Sequence, residues 1–435
     1  LCFLLPGMVA WALATVWVPL ELHQAEEYLT LAQSPDGGYS LLRPPGYVFF
    51  LHWLDVLSGG FSPGAYGPIY FVQSVLLGLA TVVFFLVARR WLDSAAACVL
   101  ALAFGCNPLS LVLAGYIHYD LLHLALLVFT CGSLVKGFGE PRIAWRWVVC
   151  AGILAGLATL TRPMTLLFPA VLAGALTWLR GHASRRAALA WLVCATVMGL
   201  TLAPRILENY QRTSRLLPVN AQTGAAFWPM TVMPLHPTSD NFPWITVWSA
   251  AGDALVRSHL GPAAAHPDIF VTQPLVMDDL CKADAWARFQ AQPAVYFKNV
   301  AANLLFFWTG DSRRFIQAFL FYQIAERPSR TAAWAVGYFA VANAVLHLLA
   351  AGGLVLAWLR RERALVLAST IFVTLWLVHS LVYLDGRYLY AGLPFFFWFA
   401  AYGLRELLPC RWPRDLTAAS LLAGLSFIGV FWLLL

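Results

Sequence analysis

Apolar stretches long enough to cross a bilayer recur along almost the whole chain, separated by short polar breaks. A spanning helix needs about 20 mostly apolar residues. Leu1–Pro19, Pro68–Ala88, Ser94–Gly115, Leu121–Val135, Trp147–Leu160, Thr165–Leu179, Ala187–Ala203, Ala332–Leu359, Ala364–Tyr383, Tyr390–Leu404 and Leu416–Leu435 follow this pattern. They predict an all-α polytopic membrane protein with about 11 transmembrane helices, two or three of them short or broken by proline. Leu1–Val18 has the look of a signal peptide. It lacks a small-x-small cleavage site and runs directly into Pro19-Leu20-Glu21, so it reads as the first span.

The polar breaks give the orientation. Arg89-Arg90, Lys136 with Arg142 and Arg146, Arg180 with Arg185-Arg186, Arg360-Arg361 with Arg363, and Arg405 with Arg411 and Arg414 occupy every second loop. The positive-inside rule makes these loops cytoplasmic, which puts the amino terminus inside and the carboxyl terminus outside. Two of the remaining loops are long, 21–67 and 204–331, and they carry most of the acidic residues. The expected organisation is a transmembrane module over 1–203 (spans one to seven) with a first external loop at 21–67. An external region at 204–331 and a last group of spans at 332–435 follow. Trp228, Trp244, Trp248, Phe306, Phe307 and Trp308 give the second external region an aromatic lip suited to the membrane interface. Tyr296–Trp308 reads as a helix lying on the membrane.

Composition supports the same picture. The chain is 60% hydrophobic and 11% charged, with a mean hydropathy of +0.71. Soluble domains carry roughly 25% charged residues, so lipid must cover much of this surface. The net charge of +7 would fit a nucleic-acid binder, but its arginines sit in the short loops that topology requires, and no nucleic acid is expected. The eight cysteines form no C-x-x-C pair and no metal-like spacing, so neither a disulfide framework nor structural zinc is expected.

Chemistry concentrates at the external ends of the spans. Glu21, Glu26 and Glu27 precede Tyr28, directly after span one. They read either as a solvated helix start, with acids at its positive end, or as a general base for an acceptor hydroxyl or amine. Arg43-Pro44-Pro45-Gly46-Tyr47 follows in the same loop. Its prolines fix the backbone, so Arg43 is either a pre-positioned fork for phosphate oxygens or a loop arginine reaching lipid headgroups. At His118-Tyr119-Asp120, Asp120 reads as a cap for span four, or as a partner for an arginine or a substrate. At Thr161-Arg162-Pro163 an arginine ends two apolar helices and needs hydration or a partner, which an anionic ligand would supply. At Asp385-Gly386-Arg387-Tyr388, Arg387 is satisfied by Asp385 or reserved for a ligand. Arg43, Arg162 and Arg387 thus come from distant parts of the chain to one expected depth and side, which points to a phosphate-bearing ligand at the outer boundary. No P-loop and no G-x-S-x-G elbow is present. His118 with Asp120 is the one candidate metal pair, and no metal site and no cofactor are expected.

The order of these motifs is informative. An acidic-Tyr segment is followed by R-P-P-G-Y, N-P at 107–108, L-T-R-P at 160–163, P-R-I-L-E-N-Y at 204–210, L-P-V-N-A-Q-T-G at 217–224 and R-Y…P at 387–394. This resembles the bacterial members of the dolichyl-phosphate-mannose–protein mannosyltransferase superfamily, GT-C glycosyltransferases related to the lipid A aminoarabinose transferases. The resemblance implies a GT-C fold with external juxtamembrane helices in the inner (cytoplasmic) membrane. It also implies transfer of a sugar, with inversion, from a polyprenyl-phosphate donor to a lipid, glycan or protein acceptor on the periplasmic face. It makes a first-loop carboxylate the base and Asp120 the family's acidic position before span four. Arg43, Arg162 and Arg387, with Tyr28, Tyr47, His118 and Tyr388 beside them, become substrate contacts. The family often has aspartate four residues before the motif tyrosine. Here that place holds Gln24, so the base falls to Glu27 or Glu26. Glu208 likewise stands where a basic residue is common.

Two other readings compete. A transporter or flippase of lipid-linked sugars would favour broken helices with polar residues at mid-bilayer, whereas the polar residues here gather at the outer ends. A non-catalytic lipid-binding member of the same fold is the reading that Gln24 keeps open.

Overall fold

The computed structural model describes residues 3–16, 23–34, 39–61, 66–139, 142–180, 185–232, 252–261, 272–309, 330–382 and 390–407. The described residues are helices joined by turns. The first is α1 (Leu4–Val16), followed by two helices of the first loop, α2 (His23–Ala32) and α3 (Pro45–Ser58). Next come α4 (Gly67–Ala88), α5 (Ser94–Gly105), α6 (Pro108–Ala114), α7 (Tyr119–Phe138), α8 (Trp145–Thr161), α9 (Phe168–Arg180) and α10 (Arg185–Thr213). The second long region holds α11 (Thr223–Phe227), α12 (Pro229–Val232), α13 (Gly252–Leu260), α14 (Pro274–Ala291) and α15 (Pro293–Thr309). The last group is α16 (Arg330–Leu359), α17 (Arg363–Leu381) and α18 (Leu393–Leu407).

Among the described residues four helices are long and apolar enough to cross a bilayer: α4, α7, α10 and α17. Shorter apolar stretches occur at Leu4–Ala14, Ser94–Gly105, Trp145–Thr161, Pro163–Leu179 and Ala344–Leu359. The expected mixture of full-length spans and spans short or broken by proline is present, although the count of 11 is not reproduced among the described residues. The stretch Ser94–Gly115 shows why. Pro108 has no amide hydrogen to continue the ladder, and Asn107 accepts from the Leu109 amide at 3.0 Å, so one run becomes α5 and a separately capped α6. In the opposite direction, α10 continues through Pro204 to Thr213. The P-R-I-L-E-N-Y motif is thus helical. The expected span Leu416–Leu435 lies outside the described residues.

A large apolar core joins most spans, with α8 packed along both α7 and α10. Gly152 and Gly156, four apart on α8, let it approach α10 closely. A Cβ on either glycine would sit 2.6 Å from Cys194 O or from Thr201 Cβ. Small residues at this spacing are the usual means of close helix contact in lipid, where burial of apolar surface drives little. A second, smaller core lies under the first loop. Tyr28, Leu29, Tyr47, Val48, Leu51, Ile69, Tyr70 and Ile117 knit α2 and α3 onto the start of α4 and the turn before α7. A third gathers Trp228, Leu255, Val256, Met277, Cys281 and Ala285 within the second long region. The expected helix at Tyr296–Trp308 is present within α15. It turns Phe307 into the bundle against Phe372, and Asn303 donates to the Val382 carbonyl at 2.9 Å, while Phe297 and Leu305 stay exposed.

Candidate active site

The site begins with two short helices that the sequence makes pack. Tyr28 of α2 meets Tyr47 of α3 edge-on at 5.3 Å, and His52 donates to the Ala32 carbonyl at 2.7 Å. Proline at the first position of α3 suits a helix start, since its missing amide hydrogen would be unsatisfied there anyway. Gly46 lets this start press on the end of α8, because a Cβ would lie 2.6–2.8 Å from Thr161. Tyr47 donates to Gln73 Oε1 at 2.9 Å, and Gln73 donates in turn to the carbonyls of Ala114 and Tyr116 at 3.0 and 2.9 Å. Arg43, immediately before the two prolines, is thereby set over α2.

Arg43 Nη2 lies 2.6 Å from Glu27 Oε2. Its guanidinium also stands 5.7 Å from the centre of the Tyr28 ring. Burial works against the Arg43 charge, but the bond to Glu27 and the nearby Tyr28 outweigh it, so its pKa is raised. Burial pushes the Tyr28 phenol well above its ordinary value; Tyr119, Glu27 and Asp120 add to this against the pull of Arg43. The Tyr28 hydroxyl and Arg43 Nε are buried and find no hydrogen-bond partner among the described residues. Glu26, one residue before Glu27, is exposed.

A second pair lies beneath. Asp120 accepts from Arg162 Nη1 at 3.1 Å on one oxygen, its other oxygen lies 2.9 Å from His118 Nδ1, and all three side chains are buried. Arg162 also faces the Tyr119 ring at 5.3 Å. The cap position of α7 belongs to His118 and carries no side-chain cap bond. The Asp120 carboxylate therefore serves Arg162 and His118, and Arg162 has a protein anion for the partner it requires. Tyr28 connects the two levels, with its ring 6.1 Å from His118 and 5.9 Å from Tyr119.

The structure thus brings together Glu27, Tyr28, Arg43, Tyr47, His118, Asp120 and Arg162 from three distant segments. Asp385, Arg387 and Tyr388 lie outside the described residues, as does Glu21. Gln24 falls on α2, one turn before Tyr28. Several participants escape the sequence reading. Gln73 and His123 are polar groups inside apolar spans, itself a signal of function in a membrane protein. Tyr39, Arg205, Asn209 and Asn220 hold the loop before Arg43; the motifs around Arg205 and Asn220 stood out in the sequence, but nothing there said what they touch.

Residues 43–207 match the family model of the dolichyl-phosphate-mannose-protein mannosyltransferases. No curated protein matches the chain in sequence. Among solved structures, the chain is similar to ArnT from Cupriavidus metallidurans bound to undecaprenyl phosphate, with 15% identity, coverage of 96% of this chain and 83% of that one, and a TM-score of 0.42. It is also similar to the oligosaccharyltransferase of Archaeoglobus fulgidus in its apo form, with 11% identity, 99% and 55% coverage, and a TM-score of 0.53. The same archaeal protein, AglB, in complex with an inhibitory peptide and a dolichol-phosphate gives 15% identity, 99% and 55% coverage, and a TM-score of 0.52. The chain spans about half the length of that archaeal enzyme. Together with the apolar helices, the likeness to the archaeal oligosaccharyltransferase shows a multi-pass membrane protein with the GT-C fold. Within that fold, the part carrying Arg43, Asp120 and Arg162 is the part that matches the mannosyltransferase model.

Proposed function

We propose that this chain is a membrane glycosyltransferase that moves a sugar from a polyprenyl-phosphate donor to an acceptor on the outer face of the cytoplasmic membrane. The observation that carries this reading is the Glu27–Arg43 pair, 2.6 Å apart at the surface of a buried aromatic cluster. It sets a carboxylate and a guanidinium side by side, and the reaction requires both. The leaving group is a lipid phosphate, on which negative charge grows as the anomeric bond breaks. A pre-positioned guanidinium is the appropriate stabiliser. The acceptor must lose a proton as it attacks, and a carboxylate within reach is the appropriate base.

The proposed steps use this pair. A donor phosphate competes with Glu27 for Arg43, and its capture frees the carboxylate to take the acceptor proton. The acceptor oxygen or nitrogen then uses its electron pair to bond the anomeric carbon. The bond from that carbon to the phosphate oxygen breaks, its electrons leave on the polyprenyl phosphate, and the configuration inverts. The Tyr28 hydroxyl and Arg43 Nε, both buried without a hydrogen-bond partner among the described residues, are further donors for phosphate oxygens. Asp120, His118 and Arg162 hold the floor on which Tyr28 and Tyr119 rest. Arg387 and Tyr388 are proposed to complete the basic lining. Dolichol-phosphate on an archaeal protein of the same fold fits this class of donor.

The test is donor consumption. Purified protein in lipid nanodiscs is given a panel of radiolabelled polyprenyl-phosphate sugars with membrane lipid and glycan extracts as acceptors. Release of polyprenyl phosphate by the wild type, strongly reduced in Arg43→Ala, supports the reading. Consumption of no donor, or equal consumption by Arg43→Ala, overturns it.

A further inference from the structure

The Tyr39–Arg43 segment carries the proposed phosphate-binding residue, and within the segment the side-chain hydrogen bonds to its backbone come from Ser40. The rest of what holds it comes from far along the chain. Arg205 of α10, itself buried, donates through Nη2 to the Ser40 carbonyl and through Nε to the Val219 carbonyl at 3.3 Å. Its remaining Nη1 meets Glu208 Oε2 at 2.8 Å, and Glu208 also takes Arg212 at 3.2 Å. The Tyr39 ring is covered by both guanidiniums, 4.4 Å from Arg205 and 3.9 Å from Arg212, and its hydroxyl donates to Asn209 Oδ1 at 3.2 Å. Asn220 donates to the Leu42 carbonyl at 3.1 Å, and the Ala221 amide donates to the Leu41 carbonyl at 2.8 Å. Ser40 passes this anchoring on. Its Oγ accepts from the amides of Leu42 and Arg43 at 3.1 and 3.0 Å.

We propose that Arg205 is a positioning residue for Arg43, acting through Ser40: it fixes the backbone from which the Arg43 guanidinium is presented to the donor phosphate. The inference rests on the phosphate-binding reading of Arg43. The guanidinium suits the task because its planar fork reaches two carbonyls and a carboxylate at once, which a lysine ammonium cannot do in the same geometry. Glu208 acquires a purpose in this scheme. It neutralises two arginines that would otherwise compete with Arg43 for the same phosphate, leaving their donors to the loop.

Two measurements on the full-length protein in nanodiscs test this. The first is hydrogen exchange at the amides of 40–43 in the wild type, Arg205→Gln, Arg205→Lys and Ser40→Ala. The second is affinity for undecaprenyl phosphate in the same proteins, each with and without Arg43→Ala. Exchange at 40–43 is expected to speed up in Arg205→Gln and Ser40→Ala, with the spans unchanged and Arg205→Lys intermediate. Affinity is expected to fall about tenfold, or about 1.4 kcal/mol, in Arg205→Gln when Arg43 is present, and to change little further in the Arg43→Ala background. Unchanged exchange at 40–43 in Arg205→Gln overturns the inference, whatever Ser40→Ala shows. Equal loss of affinity in both backgrounds overturns it too, since Arg205 would then act independently of Arg43. Should Arg205→Gln fail to fold, Arg205→Lys decides in its place. If Arg43→Ala alone leaves affinity unchanged, the phosphate reading falls, while the exchange data still decide whether Arg205 anchors the loop.

Discussion

Glu27 and Arg43 are each other's partner, so a change at one alters what the other is free to do. Glu27→Gln removes the proposed base and releases Arg43 together. The expected result is a fall in turnover of about 10²–10⁴-fold, the usual worth of general base catalysis, with affinity for polyprenyl phosphate kept or increased. The buried Asp120–Arg162 pair predicts a stability effect. Asp120→Asn leaves Arg162 buried without its counter-charge and is expected to cost about 3–5 kcal/mol, whereas Asp120→Asn with Arg162→Met recovers much of it. Denaturant unfolding in detergent checks both. Tyr28 gives a pH prediction. Its folded pKa is raised by burial, so the native state holds the phenolic proton more tightly than the unfolded chain does. The associated stability is present below about pH 10 and is lost as pH rises from there through the folded value. Tyr28→Phe is therefore expected to move alkaline unfolding to higher pH, seen by circular dichroism. Each of these residues is visible in the sequence, where Asp120 reads in one alternative as a partner for an arginine, but which residues pair is not. Glu27 with Arg43, and Asp120 with Arg162, depend on the register of helices packed across the chain, and no local pattern encodes that register.

The elements were legible where hydropathy alone decides. α4, α7, α8 and α17 fall within a few residues of the apolar runs that predict them. They were misread where proline chemistry intervenes. Pro108 splits an apparently continuous span, while Pro204, taken as the end of a span, sits inside α10. The second case matters for function, because it places Arg205, Glu208, Asn209 and Arg212 on one helix and gives them the periodicity to clasp Tyr39. The close approach of α3 to α8 belongs to the same scale. Gly46→Ala puts a methyl group against Thr161 and is expected to destabilise by about 1–3 kcal/mol. It should also weaken donor binding, since Arg43 lies three residues away. Thermal unfolding with a parallel binding measurement checks this; wild-type behaviour in both would mean that the two helices do not need this contact.

For the whole molecule, the central proposal is a sidedness: the carboxylates of the first loop with Arg43 and Arg162 on the outer face, and the arginine clusters of the short loops on the opposite one. Surface cysteines test it directly. Gln33→Cys, exposed at the end of α2, is expected to react with a membrane-impermeant maleimide in intact cells. Arg90→Cys, after α4, is expected to react after permeabilisation. The opposite pattern would invert the topology.

The catalytic account stands or falls on Glu27. A radiolabelled polyprenyl-phosphate sugar that the wild type consumes is given in parallel to Glu27→Gln, with donor binding measured on the same samples. The account predicts steady release of polyprenyl phosphate by the wild type and a loss of at least about 100-fold in the variant, with binding retained. Equal release by the two proteins, or no release by the wild type from any donor of this class, would contradict it.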